Sequence, residues 1–441
     1  MEKERNFMVG MSKEDITPKL GSRLFAYSFE RYAERVLDRL MVSVVAIRQE
    51  NETVLFVSAD LCLLSVDKCE AMRKTVAQAT GVKWENIIFS VIHTHSSPVT
   101  KPFVGWGDAD IDYLDNILVP AVIKAATKAI AQMQPALMGV GISETMAGVN
   151  RRQMNENGQV ILGQNPDGPY DPTMTLIHFK AVTGENIGSI IHFAAHPTSA
   201  GCNYSFTRDW PGLMIDRINK ITGAPCMYIN GAEGDVGPRL SNGRTTGGSD
   251  ENYVIQIGLV AADDAEKAYY NINTYEVPTM KVAYGSILLP YVKPPAKEEV
   301  EKNIKMLESE PDELKGVRRS QYVQLQKVKA VYDSGEQFPD EMELQQTVVT
   351  LGDLALVPAC FEAFCNISLG IKEKSPYKNT ILLGLTGGCY GYLPTEDQIP
   401  IGGYDVDSFR TEGIVSLVDD TDKHLIRQNV ELLEKMYEES R

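Results

Sequence analysis

The sequence lacks the features that mark several large classes of protein. The longest apolar run near its start, VLFVSADLCLL, contains Asp60 and is shorter than the ~20 apolar residues that a membrane span requires. The N-terminus has no apolar segment typical of a signal peptide, so we expect a cytoplasmic protein; a signal already removed would instead place it in the periplasm or outside the cell. Basic residues are a minority, 43 against 59 acidic ones, and the net charge of −16 argues against a general nucleic-acid-binding protein.

Motifs of common enzyme classes are missing as well. There is no G-x-S-x-G elbow, no Walker A sequence, no G-x-G-x-x-G and no H-E-x-x-H. The seven cysteines include no C-x-x-C pair, which favours reduced thiols over a zinc knuckle or a disulfide framework. What remains is a chain of 441 residues with 43% hydrophobic and 23% charged residues, typical of a globular protein with a large core.

Strand and helix patterns alternate along the chain. TVLFVSADLCLL and NIIFSVIHTHSSP have the composition of buried strands, and the segment between them has helical spacing and ends at Gly81, a good helix C-cap. Two further strands flank the turn at 183–186 and predict a β-hairpin. The charged stretch at 293–343 predicts a helical hairpin broken at Pro311 and packed on the main domain. We therefore predict an α/β fold, a mixed β-sheet core with helices on both faces, in a single domain spanning 1–441.

Histidine is scarce and unevenly distributed. Five of the six histidines lie between positions 93 and 196. His93 and His95 come at the end of a strand pattern, where residues i and i+2 share one face, and His192 and His196 are predicted to share a face in the same way. Each histidine alone could be a hydrogen-bonded core residue. Two such pairs at the carboxyl ends of strands favour a metal site.

Two other features admit a structural explanation. His178 and His424 lack comparable neighbours, and we expect them to be structural. The glycine-rich loop NGAEGDVGPR, residues 230–239, follows a strand and could bring backbone N–H groups close to a ligand oxygen. The same loop could equally be a tight turn.

Seven short segments follow one another in a recognisable order. They are VGMSKEDITPKLG, IHTHSSP, the pair Asn150-Arg151, FAAHPTS, GDVGP, PACFEAF and YGYLPTEDQIPIGGY. In this order they resemble the motifs of the neutral/alkaline, non-lysosomal ceramidase family. The resemblance implies the fold of a ceramidase catalytic domain.

The resemblance also implies roles for individual residues. The implied ligands of a Zn²⁺ ion are His93, His196, Glu362 and Tyr392. Glu362 lies in a segment that departs locally from the family pattern, and it is chosen because the later motifs then keep their spacing. The residues implied beside the scissile amide are His95, Arg151 and Tyr404. Such a ligand set with one open position suits a zinc ion that holds a water molecule.

Two departures from the family affect the expected substrate. The family's G-D-V-S-P loop has Gly237 in place of its serine, and the chain has no room after the tyrosine segment for the C-terminal β-sandwich domain of ceramidases. We therefore expect a zinc-dependent hydrolase that cleaves a non-peptide amide bond of a small N-acyl compound other than long-chain ceramide. The alternative is a non-catalytic protein of the same family that binds a ligand or a metal. The oligomeric state stays open.

Overall fold

The computed structural model describes residues 6–104, 107–309 and 314–439. Its strands are β1 (Phe7–Asp15), β2 (Arg35–Val36), β3 (Met41–Gln49), β4 (Glu52–Ala59), β5 (Ile87–Val91), β6 (Gln134–Glu144), β7 (Gly148–Met154), β8 (Val160–Asn165), β9 (Thr173–Ala181), β10 (Asn186–Phe193), β11 (Ser205–Phe206), β12 (Cys226–Asn230), β13 (Val236–Pro238), β14 (Met280–Pro290), β15 (Glu341–Leu351), β16 (Leu354–Pro358), β17 (Glu362–Ala363), β18 (Asn379–Leu383) and β19 (Tyr392–Leu393). Its helices are α1 (Val66–Thr80), α2 (Ile111–Tyr113), α3 (Val119–Ala131), α4 (Trp210–Thr222), α5 (Asn252–Tyr270), α6 (Lys297–Glu308), α7 (Gly316–Ser334), α8 (Cys365–Lys374), α9 (Tyr404–Thr411) and α10 (Thr421–Glu438).

Two sheets account for most of the strands. The larger has eight strands in the order β12-β10-β9-β6-β1-β3-β4-β5. Its outermost pairs, β10 with β12 and β4 with β5, are parallel, and the pairs between them are antiparallel. The smaller sheet has the order β14-β15-β16-β18, with one parallel pair, β16 with β18. The predicted mixed α/β fold is confirmed.

The two sheets pack face to face, and the helices cover their outer faces. Alternate residues of a strand point to opposite faces, and β3 shows the consequence. Val42 and Val44 pack against α1 and α3, whereas Val45 and Ile47 pack against residues of the smaller sheet. Helices α8 and α10 cover the far side of the smaller sheet. The core therefore has two sheet layers, whereas the sequence pattern predicts a single sheet.

Local sequence signals agree with the helix and hairpin boundaries. Helix α1 ends at Thr80, and Gly81 follows with φ 73°, the left-handed conformation of a glycine C-cap. Strands β9 and β10 form the predicted antiparallel hairpin. The charged stretch forms α6 and α7, and the predicted break at Pro311 lies outside the described residues. Among the described helices, none is long and apolar enough to cross a membrane.

Candidate metal centre

The first two histidines of the site lie in a loop. Strand β5 ends at Val91, so the prediction that His93 and His95 share one face of a strand is wrong. His93 has φ 75°, a conformation uncommon for a residue with a side chain, and its backbone N–H donates to the carbonyl of Leu61 at 2.8 Å. This turn brings the two Nε2 atoms to 3.2 Å from each other.

Two more residues converge on the same point from distant parts of the chain. His196 follows β10, and Glu362 begins β17. Oε2 of Glu362 lies 3.2 Å from Nε2 of His93 and 3.3 Å from Nε2 of His196. Strand β17 pairs in parallel with β19, which places Tyr392 opposite Glu362. The Tyr392 hydroxyl oxygen is 3.4 Å from Nε2 of His196, so all four implied ligands lie together.

The hydrogen bonds of His93 and His196 show which ring nitrogen of each carries the proton. Nδ1 of His93 lies 3.0 Å from the carbonyl of Cys62, and Nδ1 of His196 lies 2.8 Å from the carbonyl of Glu233. A carbonyl only accepts, so each Nδ1 carries the proton and the Nε2 lone pairs face Glu362. Burial, followed by the charge of Arg151, lowers the pKa of His196 to about 3, which keeps this ring neutral.

The resulting donor set fits a metal cation. Oε2 of Glu362 is buried and has no hydrogen-bond donor among the described residues. Two imidazole nitrogens and one carboxylate oxygen thus point at one another, and a cation would satisfy all three. Nitrogen and oxygen ligands of this kind suit zinc.

Cys62 forms a second possible metal-binding group with His93 and His95, and sequence analysis missed it. Its Sγ lies 3.8 Å from Nδ1 of His93, the nitrogen that donates its proton to the Cys62 carbonyl. Burial raises the pKa of the thiol well above its usual value, so it is protonated at neutral pH. The group of His93, His196 and Glu362 is therefore a better metal site than the group that contains Cys62. Cys62 could have been found from the sequence by its position in the loop after β4, at the carboxyl end of a strand.

Arg151 is held beside the cluster by a buried acid. From β7, its NH2 group donates to the Tyr392 hydroxyl at 2.9 Å and to Oδ1 of Asp405 at 2.5 Å. Burial alone would lower the pKa of Arg151, but Asp405 and Tyr392 more than offset it and raise that pKa above its usual value. Asp405 also pairs with Arg152 at 3.3 Å. Tyr404 is about half exposed, with its ring centroid 5.8 Å from that of Tyr392.

His192 points away from the cluster. It lies within β10, whereas His196 comes after that strand ends at Phe193, so the two do not share a face as predicted. Nε2 of His192 lies 2.8 Å from the carbonyl of Leu382, in the smaller sheet. His178 is bonded through Nδ1 to the Ser189 hydroxyl at 2.8 Å and through Nε2 to the side-chain oxygen of Asn186 at 2.9 Å, as fits a structural residue.

The glycine-rich loop orients His196. Nδ1 of His196 lies 2.8 and 3.1 Å from the carbonyls of Glu233 and Val236, both in this loop. Such contacts fix the ring orientation and tautomer of a metal-binding histidine. Gly237 follows Val236 in β13, and a Cβ atom added there would lie 2.5 Å from Cβ of Thr245.

The cluster opens into a cavity of about 330 Å³. The predicted site residues that line it are His93, His95, Arg151, Glu362, Tyr392 and Tyr404. Its apolar wall includes Phe25, Leu63, Phe103 and Leu162. The polar lining residues that sequence analysis missed include Tyr27, Lys101, Thr198, Thr245 and Glu412. Apart from Thr198, which belongs to the segment FAAHPTS, these residues lie outside the recognisable motifs, and only the folded chain shows their proximity to the cluster.

Known proteins resemble this chain in both sequence and fold. Residues 7–209 match the family model described as neutral/alkaline non-lysosomal ceramidase, N-terminal. The neutral ceramidase of Pseudomonas aeruginosa is 22% identical over 258 residues, which cover 53% of this chain and 37% of that protein. The chain therefore matches little more than a third of the length of this curated relative.

Solved structures extend the similarity of fold to nearly the whole chain. The crystal structure of the neutral ceramidase from Pseudomonas aeruginosa superposes with a TM-score of 0.74 at 19% identity and covers 98% of this chain and 75% of that one. A structure of a ceramidase complexed with C2 gives a TM-score of 0.75 at 17% identity and covers 99% and 76% of the two chains. The resemblance to the neutral/alkaline ceramidase family that the motifs indicated is confirmed by the family model over residues 7–209 and by the shared fold.

Proposed function

We propose that this protein is a zinc-dependent hydrolase that cleaves a non-peptide amide bond of an N-acyl compound. The observation that carries the proposal is the convergence of His93, His196 and Glu362 on one buried point, with no hydrogen-bond donor for Oε2 of Glu362 among the described residues. Tyr392 would complete the zinc ligands. When bound, zinc supplies a Lewis acid and lowers the pKa of a water molecule toward ~7.

His95 is suited to accept a proton during the reaction. Burial lowers its pKa well below the usual value, so the ring is neutral at neutral pH. Its Nδ1 atom is buried and has no hydrogen-bond partner among the described residues. A neutral imidazole that lines the cavity can take up a proton from a reacting group and return it to the leaving amine.

Arg151 and Tyr404 are suited to stabilise negative charge on the amide oxygen. The ion pair with Asp405 holds the Arg151 guanidinium in place before a substrate binds. Donors fixed in this way lose little energy to reorganisation when charge develops on an oxygen nearby. Tyr404 lines the same cavity and adds a phenol hydroxyl.

The size of the cavity supports a short substrate. Ligand sites typically enclose about 300–1,000 Å³, and a cavity of about 330 Å³ lies at the lower end of that range. The relatives named above are ceramidases, which supports amide cleavage, while Gly237 departs from their serine-containing loop. These observations fit a short N-acyl substrate better than long-chain ceramide.

Metal analysis combined with turnover tests the proposal. We expect the purified protein to contain zinc, and we expect a chelator to abolish hydrolysis of short N-acyl amides and added zinc to restore it. His93→Ala should lose both zinc and turnover, whereas the matched control His424→Ala, on α10, should keep both. Protein that neither binds zinc nor gains activity from it would overturn the proposal. Zinc binding without turnover of any amide would favour the non-catalytic alternative.

A further inference from the structure

A buried lysine lines the same cavity as the metal cluster. Lys101 has only 8% of its surface exposed. Among the described residues, the one acceptor recorded for its ammonium group is Oε1 of Glu412, at 3.4 Å. A lysine ammonium has three N–H donors, and its charge-assisted bonds to carboxylates are usually about 2.7–2.9 Å long. Toward the residues that the structure describes, part of the capacity of Lys101 to donate hydrogen bonds is therefore unused.

The charge of Lys101 is retained in this environment. Burial acts to lower its pKa, but Cys389 and the carboxylates of Glu412 and Glu362 more than offset it, and the pKa is raised above its usual value. Burying a charge is unfavourable unless it is paired and hydrogen-bonded. A long contact to one carboxylate satisfies this requirement only in part.

Glu412 is a partner that a ligand could replace. Its side chain is 39% exposed, against 10% for that of Lys101, so the carboxylate can turn toward solvent. The contact between Lys101 and Glu412 is also long, at 3.4 Å, and only the lysine end of the pair is buried. An anionic group of a ligand could therefore take the place of Glu412 beside the ammonium at small cost.

We propose that Lys101 binds a carboxylate of the substrate. The inference deepens the proposed function and rests on it: the substrate class becomes short N-acyl compounds that carry a carboxylate. Lys101 lines the same cavity of about 330 Å³ as His93 and Glu362, so one ligand can contact both the cluster and the lysine. Leu63 and Phe103 supply apolar contacts for the rest of the molecule.

Matched pairs of amides test the role of the carboxylate. The first pair, N-hexanoylglycine and N-hexanoylethanolamine, differs on the amine side. The second, the N-propyl monoamide of glutaric acid and N-propylpentanamide, differs on the acyl side. We expect kcat/KM of the wild type to favour the carboxylate member of one pair by about 10- to 100-fold, the range for a hydrogen bond to a charged group. The pair that shows the preference identifies the side that carries the carboxylate.

Variants distinguish recognition from a structural role. Lys101→Met should abolish this preference. Glu412→Gln should strengthen binding of the carboxylate compound because the competing anion is gone, a gain that a merely structural ion pair would not give. The control Lys327→Met removes an exposed lysine from a neighbouring groove and should leave the preference unchanged. A wild type without preference in either pair, or an equal loss on both members in Lys101→Met, would overturn the inference.

Calorimetric titration keeps this inference separable from the proposed hydrolysis. If no amide is turned over, the affinity of the carboxylate member of each pair is compared with that of its neutral partner in wild type, Lys101→Met and Glu412→Gln. Carboxylate binding that is lost in the first variant and strengthened in the second supports the anion site even without catalysis. Equal affinity for the charged and neutral members in all three proteins rejects it.

Discussion

The Thr245 side chain occupies the space that any side chain at Gly237 would need. A Cβ atom on Gly237 would lie 2.5 Å from Cβ and 2.7 Å from Cγ2 of Thr245, distances that real Cβ atoms essentially never show. Gly237 does not have a positive φ, so the obstacle to a larger residue is this contact and not the backbone conformation. A serine at position 237, as in the motif that this loop resembles, would therefore require a smaller residue at position 245, where Thr245 lines the cavity.

Gly237→Ser should destabilise the protein unless Thr245 is also replaced by a smaller residue. Overpacking a buried site typically costs about 1–3 kcal/mol, and Thr245 is only 3% exposed. The double variant Gly237→Ser/Thr245→Gly should recover most of this loss, since the hydrogen bond that Thr245 accepts from Thr198 uses its backbone carbonyl. Denaturant unfolding of the two variants measures the difference. Equal stability of the single variant and the wild type would contradict the steric coupling.

The same double variant tests what the serine contributes. If a hydroxyl at position 237 is all that cleavage of ceramide analogues lacks, the double variant should hydrolyse them faster than the wild type. One donor to a developing oxyanion is worth about 3 kcal/mol, roughly 100-fold in rate. A stable double variant with no gain on any ceramide analogue would show that the cavity itself excludes such substrates.

His196→Ala and His192→Ala should have opposite effects on metal content and stability. His196→Ala removes an imidazole from the cluster, and we expect the zinc content of the purified protein to fall. His192 contacts the Leu382 carbonyl away from the cluster, so His192→Ala should keep zinc but lower the melting temperature because it leaves a cavity in the core. Zinc analysis and thermal unfolding of both variants provide the comparison. Loss of zinc from the His192 variant alone would refute the assignment.

Asp405→Ala should destabilise the protein strongly. Asp405 is fully buried and pairs with Arg151 at 2.5 Å and Arg152 at 3.3 Å, so its removal leaves buried charge without compensation. Breaking a buried pair costs about 3–5 kcal/mol. Asp407→Ala, at a half-buried position of the same helix, is the control and should cost less than about 1 kcal/mol. Similar losses in the two variants would mean that other groups balance the guanidinium charges.

Acid should destabilise the protein through histidines outside the cluster. Burial lowers the pKa of His178 to about 4, below the usual value of about 6.5 for a histidine. Between pH 6.5 and about 4 the unfolded chain therefore binds more protons than the folded protein. The free energy of unfolding falls over this range as the pH drops, by about 3 kcal/mol for this residue. His178→Gln should reduce this pH dependence in urea titrations at pH 7 and pH 4.5 with chelator present. An unchanged dependence would show that His178 does not cause it.

The sequence alone was sufficient for features that depend on neighbouring residues or on recognisable motifs. Helix α1 ends at Gly81 because a glycine adopts the left-handed cap without a Cβ penalty, and this is readable from one residue. The β9–β10 hairpin follows from two apolar segments joined by a short turn. The motifs selected His93, His196, Glu362 and Tyr392, which the fold brings together.

Tertiary structure alone decided how the site is held and what surrounds it. Arg151 and Asp405 are 254 residues apart in sequence, and Lys101 and Glu412 are 311 residues apart. Hydrophobic periodicity specifies which face of a strand or helix is buried, but it carries no information about which distant segment covers that face. The local pattern predicted that His93 and His95 lie on one face of a strand. In the structure the strand ends at Val91, and a turn with positive φ at His93 brings the two rings together instead.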